Sequence, residues 1–246
     1  MEFFKKDFGV EVKENKTIVT DADKESHRIL VKMLGLHGWP ILSEEGKDDM
    51  ERMKSDIVWV VDPLDGTQEF FQGMKDFSVM VALVKGGVPV LGVCHHPAHK
   101  TYYCASLGFG AYQVFDGEMK RIYASNRKEK SEAKLIASRM HYEGMVDDFA
   151  SLFGDLSVHR VGGAGIKITR IAEGSADVFF NPTGKMGEWD VCAPSIILKE
   201  AGGELTDING EEIVFNKEEP NVLKGVLATN GFLHKDALLA IKESLK

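Results

Sequence analysis

Ile57-Val58-Trp59-Val60-Val61-Asp62-Pro63-Leu64-Asp65-Gly66-Thr67 is an apolar, β-branched run that breaks into an acidic turn. Its first five residues read as a short buried strand. Pro63 has no N–H to give to a sheet ladder, so the strand is expected to stop there. Asp62 and Asp65 then stand three residues apart with the Leu64 carbonyl between them, an oxygen-rich set of the kind that hard divalent cations such as Mg²⁺ take. Gly66 and Thr67 open a short helix expected over residues 68–71, and free N–H groups at a helix start attract phosphate. Cation ligands and an anion seat thus adjoin, as metal-assisted phosphate chemistry requires. An ordinary Asp/Gly turn after a strand has the same local pattern, so the flanking sequence has to decide.

With 246 residues and 43% hydrophobic composition, the chain can bury a full core as one large domain or two lobes. No run reaches the length of a membrane span, and Met1-Glu2-Phe3-Phe4-Lys5-Lys6 lacks the apolar core of a signal peptide. Cys94, Cys104 and Cys192 show no metal-type spacing, and their scatter and odd number suit reduced thiols in a cytoplasmic protein. A net charge of −8 argues against wrapping a nucleic-acid polymer, although not against a small nucleotide.

Outward from the central turn, Val79 to Lys85 and Val88 to His95 read as a hairpin across Gly86-Gly87, followed by strands at Thr101 to Ala105 and Gly110 to Phe115. Upstream, Ile29, Leu30, Met33 and Leu34 recur at helical spacing within Asp21 to Leu36, and residues 47–55 read as an exposed, charged connection. Residues 12–16 read as a mobile loop able to close over a site. The polar stretch Ser125 to Ser131 is read as the lobe boundary, giving an α+β lobe over 1–125 and an α/β lobe over 126–246. In the second lobe, strands are expected at 134–137, 156–161 and 176–180, and helices at 143–153, 165–173, 191–201 and from His234 onward. His95, His96 and His99 end a strand and are read as structural rather than as a transition-metal site.

Two further motifs fall in order around the turn: Glu44-Glu45 after Pro40-Ile41-Leu42-Ser43, and Trp189-Asp190 within Gly187-Glu188-Trp189-Asp190. Together with Asp62-Pro63-Leu64-Asp65-Gly66-Thr67, the set resembles the magnesium-dependent, lithium-sensitive phosphatases that include inositol monophosphatase and the 3′(2′),5′-bisphosphate nucleotidases. The resemblance runs from about Thr17 to near the C-terminus. It implies a layered αβαβα sandwich of the inositol monophosphatase/fructose-1,6-bisphosphatase type, with the site between the lobes. The long helix that family members carry before this point is mostly missing here, and the sequence does not say what replaces its contacts.

Four converging carboxylates repel one another unless cations join them, so an acidic cluster itself calls for metal. The resemblance implies two or three Mg²⁺ ions: Glu44, Asp62 and the Leu64 carbonyl on one, and Asp62, Asp65 and Asp190 on a second. Asp23 would reach a third through water. Glu44 and Thr67 are expected to orient the attacking water, and the Gly66 and Thr67 N–H groups to hold phosphate oxygens. Substrate choice is expected to lie in Ser138-Arg139-Met140-His141 and Val161-Gly162-Gly163-Ala164-Gly165-Ile166-Lys167. Ser138, His141, Gly163 and Lys167 match the nucleotidase branch, with Lys167 expected to meet the uncleaved phosphate at a distance from the metals. Gln68 departs from that branch, which often has lysine there. The expectation is a phosphatase of a small phosphorylated substrate, with 3′-phosphoadenosine 5′-phosphate first. An inositol monophosphate or fructose 1,6-bisphosphate is the alternative, and a silent metal- and nucleotide-binding sensor a third reading. A homodimer is the one assembly carried forward as an expectation.

Overall fold

A computed structural model describes residues 1–6, 8–12, 18–139, 143–154, 156–222 and 224–244. In chain order the first half holds β1 (Val10–Val12), β2 (Ile18–Thr20), α1 (Asp21–Leu34), β3 (Ile41–Ser43), β4 (Ile57–Asp65), α2 (Thr67–Phe71), β5 (Ser78–Lys85), β6 (Val88–His96), β7 (Thr101–Ser106), β8 (Gly110–Phe115) and β9 (Glu118–Ile122). The second half holds β10 (Leu135–Ser138), α3 (Glu143–Phe153), β11 (Val158–Val161), α4 (Ala164–Ala172), β12 (Val178–Asn181), β13 (Met186–Gly187), α5 (Glu188–Glu200), β14 (Glu204–Thr206), β15 (Asn221–Val222), β16 (Val226–Thr229) and α6 (His234–Ser244).

Strands β3 to β9 form one seven-stranded sheet in sequence order, antiparallel except for β3 beside β4. A five-stranded sheet runs β11-β10-β12-β16-β14, with parallel pairs on both sides of β10. Helices α4 and α5 lie between the two sheets, α1 packs on the outer face of the first, and α3 with α6 cover the outer face of the second. This is the αβαβα layering expected of the resemblance. Alternation along β12 shows why the second sheet needs helices on both faces: Phe179 joins the central core, while Val178 and Phe180 turn to the α3/α6 side.

Several local expectations change. Strand β4 does not end at Pro63 but continues to Asp65, because a bulge absorbs the proline: Asp62 pairs with Met80, Asp65 with Ser78, and the register shifts between them. Val12 ends a strand paired with β2 rather than opening a loop; residues 13–17 lie outside the described residues. The charged connection 47–55 is not uniformly exposed, since Arg52 is only 1% exposed. Helix α5 starts at Glu188, before Val191, so Asp190 sits inside its first turn. The helical spacing in α1 is real, but Ile29 and Met33 on it are exposed, and Asp23 is its one buried member among the described residues. That helix is tied down by polar contacts instead: Ser26 Oγ donates to the Pro63 carbonyl at 2.7 Å, and His27 Nδ1 meets Ser43 Oγ at 2.9 Å. Strands β1 to β3, β9 and β13 to β16 are not expected from the sequence patterns.

Residues 1–8 form no helix among those described, and a cluster of rings occupies the space beneath α2. Phe4 lies 5.5 Å from Phe70 and 5.2 Å from Phe77, and Phe8 lies 5.5 Å from Phe70. Leu64, directly between the two acids of the turn, belongs to the same cluster.

Candidate active site

A cavity of about 550 Å³ opens where β4, α2, the end of β10 and the starts of α4 and α5 converge. The β4 bulge brings Asp62 and Asp65 to the same side, and α5 brings Asp190. Ligand oxygens of these three acids lie within 4.8 Å of one another. Glu44, at the end of β3, lines the same cavity half-buried, its N–H donating to the Val61 carbonyl at 3.2 Å.

Each acid is aimed by backbone. Asp62 is fully buried, and its Oδ1 accepts the Leu64 N–H at 3.0 Å. Its Oδ2 has no hydrogen-bond partner among the described residues. Asp65 Oδ1 accepts the Ala164 N–H, and Oδ2 accepts the Gly165 N–H and the Ser78 hydroxyl, all at 2.8 Å. The N–H groups of the Gly-rich turn are therefore engaged by Asp65, which joins α4 to β4. Asp190 Oδ2 accepts the Gly187 N–H at 2.6 Å, the reach-back contact of a helix-capping acid. Gly66 bridges the turn at φ 84°, where a side chain would strain the backbone and its Cβ would come within 2.7 Å of the Asp76 carbonyl.

Burial raises the pKa of Asp62 well above the ordinary carboxylate range, and the charges of Glu44, Asp65 and Asp190 raise it further. Asp190 is raised in the same way, by burial first and then by Glu44 and Asp65. A buried carboxylate oxygen without a partner, inside a group of acids that oppose one another's ionisation, is unfavourable without a cation. All donors are hard oxygens, so Mg²⁺ fits the set.

Thr67 and Asp23 form a second unit. Asp23 is 1% exposed and takes the Thr20 N–H on Oδ2 at 2.8 Å, capping α1. The Thr67 hydroxyl lies 2.8 Å from Asp23 Oδ1 and 3.0 Å from the Leu64 carbonyl. Two acceptors compete for its single proton, so its lone pairs are left to accept from a third group in the cavity.

Ser138, Gly163 and Lys167 line the same cavity, and Gly163 adjoins Asp65, so Lys167 does not stand at a distance from the acids as the sequence leads one to expect. Lys167 is 3% exposed, with Nζ 5.3 Å from the centre of the Phe179 ring. Burial lowers its pKa, against the pull of Asp65, Glu69 and Asp190. The lysine thus faces the acid cluster itself. His141 lies outside the described residues. Two cavity residues had no role in the sequence reading. Glu69 is buried against Gly162, where a Cβ would come within 2.3 Å of the Glu69 side chain. Arg139 belongs to the Ser138-Arg139-Met140-His141 motif without an expected role of its own. The signal for Glu69 is its place in the short helix that opens directly after the Asp62 to Thr67 motif.

The histidines form no metal cluster among the described residues. His95 stacks on Tyr102 at 4.0 Å, and buried His96 meets Thr169 Oγ1 at 3.2 Å. Among the described residues, Asp62, Asp65 and Asp190 form the one group of this kind.

The family model for the inositol monophosphatase family matches residues 1–245. A 3′(2′),5′-bisphosphate nucleotidase CysQ of Aggregatibacter actinomycetemcomitans is 34% identical over 232 residues, covering 91% of this chain and 86% of its own. A fructose-1,6-bisphosphatase/inositol-1-monophosphatase of Thermotoga maritima is 32% identical over 237 residues, with 93% and 84% covered. Among solved structures, a Thermotoga maritima IMPase superposes with a TM-score of 0.81 at 30% identity, over 96% of this chain and 88% of that one. With the acid-lined cavity, the layering and these matches in agreement, the chain belongs to the inositol monophosphatase family.

Proposed function

We propose that this chain is a Mg²⁺-dependent phosphatase that removes the 3′-phosphate of 3′-phosphoadenosine 5′-phosphate, giving AMP and inorganic phosphate. One observation carries the choice of substrate: Lys167, a deeply buried cation, lines the same cavity as the acids, within reach of the charges of Asp65, Glu69 and Asp190. A second phosphate is the group that a cation there would select. The nucleotidase relative supports the same branch, while the Thermotoga enzyme keeps an inositol or fructose phosphate as the second reading.

Glu44, Asp62, the Leu64 carbonyl, Asp65 and Asp190 would hold the metal, two or three ions in all. When bound, Mg²⁺ supplies Lewis-acid stabilisation of the phosphoryl oxygens and lowers the pKa of water. Thr67, with its proton directed to Asp23 or Leu64, accepts a hydrogen bond from the attacking water, and the Glu44 carboxylate takes the proton. The Gly66 and Thr67 N–H groups hold non-bridging oxygens as charge builds on them. A P–O bond to water forms as the bond to the ribose 3′-oxygen breaks, and that oxygen takes a proton from solvent water while Glu44 returns its own to solvent. The three free cysteines, Cys94, Cys104 and Cys192, suit a cytoplasmic setting.

Phosphate release measured side by side on 3′-phosphoadenosine 5′-phosphate, inositol 1-phosphate and fructose 1,6-bisphosphate tests the reading. The expected order places the nucleotide first by at least about tenfold in kcat/KM. Preference for the inositol or fructose ester would transfer the chain to the other branch.

A further inference from the structure

Arg139 leaves the end of β10 directly after Ser138 and lines the cavity, yet the steps above give it no task. Its N–H donates to the Val161 carbonyl at 3.1 Å, which ties it to the neighbouring strand. Its guanidinium reaches to the segment after α2: Nη2 donates to Asp76 Oδ2 at 2.5 Å, and Nη1 lies 3.0 Å from Met74 Sδ. The same Asp76 oxygen lies 3.5 Å from the Gly162 N–H, so one carboxylate holds both the arginine and the Gly-rich turn. Burial works to raise the Asp76 pKa, but the Arg139 guanidinium outweighs it and holds the carboxyl below its ordinary value. Asp76 therefore stays ionised at neutral pH.

These contacts engage one edge of the guanidinium. It carries five N–H donors in a planar fork, so the rest of the fork remains for another acceptor. Its side chain is 31% exposed at the cavity, in contrast to Lys167, which is sunk under Phe179 and faces the acids. Lys185, the other cation in the lining, is an exposed side chain with no ion pair among the described residues. Arg139 is thus the lining cation that is both accessible and held in a fixed orientation.

We propose that Arg139 is the specificity-determining clamp for the phosphate that is not cleaved, with Asp76 as its positioning residue. Asp76 keeps one edge of the guanidinium, and the other edge takes two phosphate oxygens. A preorganised fork loses little entropy on binding, and bidentate Arg–phosphate contacts are among the stronger hydrogen bonds. The clamp rests on the bisphosphate reading above and adds to it a residue at the rim that Lys167 does not replace.

The test uses the full chain with Mg²⁺, comparing wild type, Arg139→Gln, Arg139→Lys and Asp76→Asn. Two readouts are taken: kcat/KM on adenosine 3′,5′-bisphosphate against adenosine 3′-monophosphate, and calorimetric binding of AMP against adenosine. Arg139→Gln should lose about ten- to a hundredfold more on the bisphosphate than on the monophosphate, with AMP binding weakened by a similar factor. Arg139→Lys should recover only part of this, since an ammonium lacks the fork. Asp76→Asn should show the same selective loss, smaller in size. Hydrolysis of the monophosphate by each variant shows that it has folded. Equal losses on both substrates with AMP binding unchanged would overturn the clamp and leave the bisphosphate reading standing. A wild type that treats both nucleotides alike would overturn the reading and the clamp together.

Discussion

At the scale of single residues, Asp62 is the most informative side chain. It is fully buried, one oxygen has no partner among the described residues, and burial first and then the neighbouring acids raise its pKa. Asp62→Asn removes a charge that destabilises the metal-free protein, so that variant should unfold at a higher temperature than wild type when a chelator is present. The gain should be on the order of 1–3 kcal/mol. Adding Mg²⁺ should stabilise wild type and scarcely move the variant. A chelated Asp62→Asn that melts well below wild type would show the carboxylate to be a structural support instead. The importance of Asp62 was legible in the sequence because the motif around it is rigidly spaced. The task of Asp76 was not, since its partners lie at positions 139 and 162 and nothing local marks the pairing. His96 is a second residue whose role only packing reveals. The Thr169 hydroxyl lies 2.6 Å from the Gly165 carbonyl, which takes its proton, so the His96 Nε2–H donates to Thr169. Burial, and then the nearby His99, His95 and Arg170, lowers the His96 pKa from 6.5 to about 3. A folded value below the unfolded one means that stability is complete above pH 6.5 and falls as the pH drops toward 3. The slope contributed is at most ~1.4 kcal/mol per pH unit. His96→Gln should flatten the stability–pH curve between pH 6.5 and 4.5; an unchanged slope would contradict the assignment.

At the scale of elements, the start of α5 shows how a distant residue positions a ligand. Glu188 is fully buried and accepts the Asn216 N–H at 2.6 Å and the Lys217 N–H at 3.1 Å. Arg52 holds the same strap from the other side, donating to Asn216 Oδ1 and the Lys217 carbonyl at 2.8 Å each while it pairs with Asp48 at 2.7 Å. Strand β15 then pairs with β13, and Asp190 follows within one helical turn. Arg52→Met should cost about 3 kcal/mol of stability by leaving buried acceptors and Asp48 uncompensated. It should also weaken the apparent Mg²⁺ affinity at a temperature where the protein is fully folded, read by calorimetry. Lost stability with unchanged Mg²⁺ affinity would make the strap purely structural. Sequence periodicity located α3, α4 and α6 closely, because their apolar residues follow the 3.6 repeat. It started α5 too late: Pro194 fits the first turn of a helix beginning at Val191, but Gly187 and Asp190 cap the helix earlier. Residues 47–55 misled for a related reason, since their high charge conceals one buried arginine among several exposed side chains.

At the scale of the whole molecule, layering places the chemistry. Two sheets with helices on both faces leave a cavity where strand ends and helix starts meet, and the residues that line it come from positions 18 to 190. The layered architecture was legible through the resemblance that the Glu44, Asp62 to Thr67 and Trp189-Asp190 motifs carry, whereas strand and helix patterns alone mark only an antiparallel half beside an α/β half. The Phe4/Phe8/Phe70/Phe77 cluster was not, since aromatic residues near a chain end carry no periodicity. Phe4→Ala should cost roughly 1–3 kcal/mol, as its ring is only half-buried. A double-mutant cycle with Phe77→Ala should give a coupling above about 0.5 kcal/mol. Additive effects would show that the N-terminal segment does not support the turn. The central claim concerns the acids at the middle of all these layers. Its most direct test is the rate of phosphate release from 3′-phosphoadenosine 5′-phosphate as Mg²⁺ is titrated from zero in chelator, for wild type and Asp190→Asn. The account expects no release without the metal, saturable activation in wild type, and a loss of at least about a thousandfold in the variant with its melting transition intact. Full release in chelator, or near-normal turnover by Asp190→Asn, would contradict it.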